Sequence, residues 1–156
     1  MLSQSQTNRV VLALFLSLTV VGGLLVGLLS APDEWFAALA KPAFNPPDWI
    51  FGPVWTVLYV LIGIAGWQTW QTRPHGLAMK LWVLQLVLNF LWTPVFFTFH
   101  RPDTALDVIV TLLLTILAYI YASYREANRR SAMLFAPYAL WVAFATLLNG
   151  AIWLLN

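Results

Sequence analysis

The amino-acid sequence predicts an all-α polytopic membrane protein, a bundle of five transmembrane helices, and three observations lead there. Of its 156 residues, 61% are hydrophobic and 9% charged, whereas a soluble domain is about a quarter charged. Mean hydropathy is +0.78, so water is the wrong solvent for most of the surface. Five stretches are also long and apolar enough to cross a hydrocarbon core about 30 Å thick, which takes about 20 residues of helix.

The first stretch covers residues 10–29 and holds no charged side chain. Its apolar run is too long for a signal-peptide core, Leu29 spoils a small-x-small cleavage pattern and Pro32 would follow the cut, so it is expected to remain as a spanning helix. The second covers residues 47–67. Its entry is signalled by Asn45 as N-cap, Pro46 at the first helical position and Asp48 at the positive end of the helix dipole. The third, fourth and fifth cover residues 81–99, 104–124 and 133–155. Short charged or proline-bearing connections separate them, and the longest, residues 31–46, carries Asp33, Glu34, Trp35, Phe36 and Lys41. It is amphipathic enough to lie on the membrane surface and cap whatever opens there; a plain solvated turn is the other reading. No polar half or Gly/Ser linker divides the chain, so residues 1–156 read as one domain.

Basic residues set the expected orientation. With the N-terminus on one side, Arg9, Arg73, Lys80, Arg125, Arg129 and Arg130 gather there, against Lys41 and Arg101 on the other. The richer side, and with it the N-terminus, should be cytoplasmic. A scattered net charge of +2 offers no nucleic-acid footprint. Cysteine is absent, which removes disulfides, thiolate metal sites and a cysteine nucleophile. His75 and His100 lie in connections near opposite membrane faces, so they cannot share a metal. No HExxH, GxSxG or phosphate-cradling glycine loop is present. Neither catalytic nor metal residues are therefore assigned.

Polar side chains within the spans should face protein, a cavity or a ligand, because lipid supplies no hydrogen bonds. On the third helix Gln85, Asn89, Trp92 and Phe96 share one face, and on the fifth Tyr138, Trp141, Ala145, Asn149 and Ile152 do the same. Trp55 and Tyr59 share one face of the second. Three flat aromatic walls with a few amides and hydroxyls suit a large, flat, mostly apolar ligand. Interhelical packing, with Asn89 and Asn149 bonding across helices, explains the same stripes. Asp107, one turn into the fourth helix beside Thr104 and Thr111, reads as a proton-relay candidate or as a solvated interfacial acid.

The segment KPAFNPPDWIFGPVWTVLY at residues 41–59 resembles the signature of the translocator protein family, also called tryptophan-rich sensory proteins or peripheral benzodiazepine receptors (TspO/MBR). Gly22 and Gly23, LNFLWTPVFF at residues 88–97 and PYALWVAFATLLN at residues 137–149 extend the resemblance over nearly the whole chain. It implies a five-helix bundle that binds porphyrins, sterols and isoquinoline or benzodiazepine-type ligands in a pocket closed by the first connecting loop. Trp49 and Trp55, with Tyr59 a turn further on, match the family's pocket tryptophans; Asn89 and Trp92 match the third-helix motif, and Trp141 and Ala145 the fifth. Some members carry tryptophans where this chain has Ala43 and Phe44, and the sterol-recognition pattern is missing from LLNGAIWLLN. A homodimer is implied as well. The third helix lacks small-xxx-small spacing, leaving Gly23 and Gly27 of the first for close contact between copies.

The expected function is thus a receptor or translocator for tetrapyrroles in a bacterial envelope membrane, with porphyrin as ligand rather than cofactor and lipid as the other partner. A porphyrin-degrading enzyme and a membrane scaffold are the alternatives that the residues leave open.

Overall fold

The computed structural model describes residues 4–126 and 128–156. Among the described residues five helices are long and apolar enough to span a membrane: Ser5–Leu29, Asp48–Thr72, Leu77–Phe97, Pro102–Arg125 and Arg129–Leu155, referred to here as the first to fifth spans. Several ends run past the apolar stretch, because a helix keeps its backbone bonded into the headgroup region where charged side chains are tolerated. The second span corrects the expected entry. It begins with a turn of 3-10 helix at Asp48–Ile50, and Pro47 holds extended backbone ahead of it. Pro47 bars the helical conformation to Pro46, so Asn45 cannot cap from its place; its amide instead donates to the Pro46 carbonyl at 3.0 Å.

Around the bundle the third span packs along the fourth, the fourth along the fifth, the fifth along the second and the second along the first; the end of the first meets the third and closes the ring. Ile62, Ile109, Leu112, Ile116, Tyr119, Phe135 and Val142 fill the centre with at most 1% of their surface exposed. The first span is the most lipid-exposed of the five. It widens into a π-helical stretch at Ser17–Val21, where buried Thr19 bonds back to the Phe15 carbonyl at 3.0 Å and lies over Gly63 of the second span. The same stretch turns Gly22 onto Phe90 and Gly23 onto the Tyr59 ring, which leaves no room there for a Cβ. Gly23 therefore faces into the bundle against Tyr59, which removes it from contact between copies, whereas Gly27 borders the cavity described below and stays exposed.

The half nearer the second-to-third connection is tied by hydrogen bonds. Thr69 Oγ1 lies 2.6 Å from Tyr119 Oη, Ser131 Oγ donates to Gln68 Oε1 at 3.2 Å, and the Trp82 indole donates to the Ile62 carbonyl at 2.9 Å. Asp107 is exposed on the fourth span, so it enters no relay within the bundle.

At the opposite end the 31–46 connection folds over the bundle and is no free turn. Asp33 caps a short helix, Glu34–Ala38, by accepting from the Phe36 N–H at 3.1 Å. Lys41 Nζ closes its other end on the carbonyls of Phe36, Ala37 and Leu39 at 2.7, 3.3 and 3.3 Å. Trp35 and Phe36 set their edges against Phe96. Ala40 and Asn156 exchange two hydrogen bonds, 2.9 and 3.1 Å, that tie this loop to the end of the fifth span.

Candidate ligand cavity

Beneath this loop lies a cavity of about 380 Å³, within the size range of small-molecule sites. The first span contributes Gly23, Leu24, Gly27 and Leu28; the loop, Ser30, Pro32 and Phe36; the second span, Asp48, Phe51, Gly52, Trp55, Thr56 and Tyr59. The third adds Trp92, Thr93, Phe96 and Phe97, and the fifth Trp141, Ala145, Leu148, Asn149 and Ile152. None of these residues belongs to the fourth span. Its place behind the third and fifth makes it a buttress for the walls.

The walls are flat and braced on one another. Trp55 stacks on Tyr59 with ring centres 5.5 Å apart and planes 28° from parallel. Phe51 meets Trp141 edge to face at 5.8 Å, and Trp92 lies against Phe96 at 5.6 Å. Several polar groups in the wall are already engaged. The Trp92 indole donates to Asn149 Oδ1 at 3.0 Å, and the Asn149 amide donates to the Pro102 carbonyl at 2.8 Å. Thr56 Oγ1 donates to the Gly52 carbonyl at 2.9 Å. Tyr59 Oη donates to Asn89 Oδ1 at 2.9 Å. The Trp141 indole N–H, also in the wall, is buried with no partner among the described residues, so the cavity offers rigid aromatic faces with a few hydrogen-bonding groups left over, a surface matched to a largely apolar π-system.

Of the residues singled out in the sequence, Trp55, Tyr59, Trp92, Phe96, Trp141, Ala145 and Asn149 come together around this cavity. Gln85, Asn89 and Tyr138 do not line it. They form a buried chain behind Tyr59: Asn89 Nδ2 donates to Tyr138 Oη, and Tyr138 Oη to Gln85 Oε1, each at 2.9 Å. Trp49 also stands apart, 74% exposed. In the tight 3-10 turn its neighbours Asp48 and Phe51 face the cavity, which sends the intervening indole outward. There it suits the aromatic belt at the membrane surface. The first span's wall of Gly23, Leu24, Gly27 and Leu28 is not legible in the sequence, because apolar residues surround that helix on every side and do not single out these four as an inner face. The pair at Gly22 and Gly23 was the one available signal.

The fold and cavity define a class: an integral membrane protein of five spans with an aromatic chamber inside the bundle, roofed by its first connecting loop. Comparison with known proteins makes this specific. The model of the TspO/MBR family matches residues 15–154, and the chain belongs to that family. It is 40% identical to the tryptophan-rich sensory protein of Cereibacter sphaeroides over 139 residues, 88% of this chain and 87% of that one. It is 39% identical over 126 residues to the tryptophan-rich protein TspO of Archaeoglobus fulgidus, covering 80% and 81% of the two chains. The translocator protein of Homo sapiens is 34% identical over 125 residues, 77% of this chain and 73% of its own.

Proposed function

We propose that this protein is a membrane receptor or translocator that binds porphyrins, and other flat apolar molecules, in the chamber beneath the first connecting loop. The observation that carries this reading is the chamber itself, about 380 Å³ walled by Phe51, Trp55, Trp92, Phe96 and Trp141. A ligand there gains burial against rigid aromatic faces without separating the pairs that already bond, such as Trp92 with Asn149. Titration of the purified protein with protoporphyrin should quench tryptophan fluorescence saturably, and chromatography after incubation in light and in dark should recover the porphyrin unchanged. Consumption of porphyrin would transfer the chamber to the enzyme reading; absence of binding would defeat both.

We further propose a bacterial envelope location with the N-terminus cytoplasmic, on the distribution of basic side chains between the two ends. The chain lacks cysteine, so single cysteines can report on each side. His75 and Ala37 are both exposed, in the second-to-third and first-to-second connections. In intact cells an impermeant thiol reagent should label Ala37→Cys, and His75→Cys only after permeabilisation. The reverse pattern would invert the proposed orientation.

A further inference from the structure

The loop that roofs the chamber is fastened at its outer edge by one imidazole. His100 Nε2 lies 2.9 Å from Asp33 Oδ2, and its ring stacks on Trp35 with centres 4.3 Å apart and planes 21° from parallel. Neither contact is incidental to the lid. Asp33 uses its other oxygen to cap the Glu34–Ala38 helix, and that helix carries Phe36, which lines the chamber and sets its edge on Phe97 at 5.1 Å. His100 also holds an unusual backbone conformation. Its φ is 54°, in the left-handed region that a non-glycine residue enters rarely and at some cost. The chain turns back there, with the Arg101 N–H on the Val95 carbonyl at 3.2 Å, and the imidazole is aimed across the third span's end at the lid.

We propose that His100 is a pH-sensitive positioning residue for the lid: as a cation it clamps Asp33 and holds the loop's outer edge closed over the ligand, and as a neutral ring, with at most an uncharged hydrogen bond to Asp33, it lets that edge loosen. This regulation rests on the ligand reading above. The charged neighbours leave that pairing intact. Lys41 is spent on the carbonyls of the loop helix, and Arg101 is paired with Asp103 at 2.9 and 2.8 Å. Glu34 and Asp48 are exposed acids at the same end of the bundle and favour a cation there. The Asp33 carboxyl is held below its usual range, first by the Phe36 N–H and further by His100. It therefore stays ionised through the interval, roughly pH 5 to 8, in which histidine changes charge. The sign follows: the lid is tighter on the acidic side of that interval and looser on the alkaline side.

Two readouts test the latch. A nitroxide on Ala37→Cys reports loop mobility without any ligand, and release of protoporphyrin dimethyl ester, a neutral probe, is followed by recovery of tryptophan fluorescence on dilution. Between about pH 5.5 and pH 8 the wild-type loop should become more mobile and release should accelerate about two- to fivefold, the range an exposed ion pair supports. His100→Asn, which tolerates the left-handed backbone but carries no charge, should show the fast behaviour at both pH values. His100→Arg, permanently charged, should show the slow one. Equal mobility and release at both pH values in the wild type, or a pH response preserved in His100→Asn, would overturn the latch. A pH-responsive label in a protein that binds no porphyrin would keep the latch and sink the ligand reading instead.

Discussion

Asn89→Ala should lower the melting temperature of the detergent-solubilised protein by about 3–10 °C, while porphyrin affinity falls less than tenfold. The side chain is 2% exposed and bridges two tyrosines on different spans, accepting from Tyr59 and donating to Tyr138. Truncation leaves the buried Tyr59 hydroxyl without the acceptor it uses in the structure, and an orphan of this kind costs about 1–3 kcal/mol. Polar contacts inside membranes tend toward the lower part of that range, and for a chain of this size each kcal/mol moves the midpoint by about 2–4 °C. Affinity changes only through Tyr59, which is wall and partner at once: it stacks on Trp55 and faces the cavity. Thermal melts beside fluorescence titrations on one preparation measure both. An unchanged melting temperature with strongly weakened binding would show that Asn89 serves the ligand directly.

Ala145→Leu is the opposite case, with a large effect on binding and a small one on folding. Ala145 lines the chamber between Trp141 and Asn149 on the inner face of the fifth span. Three added carbons project into the space a ligand would occupy. In the empty protein they have a cavity to enter, so overpacking strain is relieved and the melting temperature should move by no more than a few degrees. Where a ligand must share that space, a clash of about 1–3 kcal/mol corresponds to weakening of about 5- to 100-fold. Protoporphyrin titrations of wild type and variant decide it. A variant that binds as tightly as wild type would place the ligand elsewhere.

These two residues mark the boundary of what could be read in advance. Helical periodicity placed Asn89 and Trp92 on one inward face, and both are inward. Periodicity cannot tell a side chain that lines a hollow from one that meets another helix. That distinction depends on the depth of each residue along the span. Ala145 and Asn149 lie level with the chamber, whereas Gln85, Asn89 and Tyr138 lie below its floor, where the spans close on one another. Trp49 shows a different limit. Its place in the NPPDW segment suggested a wall residue, but the 3-10 turn that Pro47 enforces sets its rotation about the helix axis.

By itself the sequence determined the class of protein, the number and approximate extent of its spans and which helices carry aromatic faces. Each of these follows from local hydropathy and a fixed helical repeat, which need no knowledge of neighbours. Only the tertiary structure decided that the spans run in a ring with the fourth outside the chamber, that the first helix gives a wall through its glycines, and that Asp33 meets His100 across 67 positions of chain. Such pairings depend on the relative depth and rotation of whole helices. Those are settled by packing one irregular surface against another, and no short segment encodes its own half of that fit.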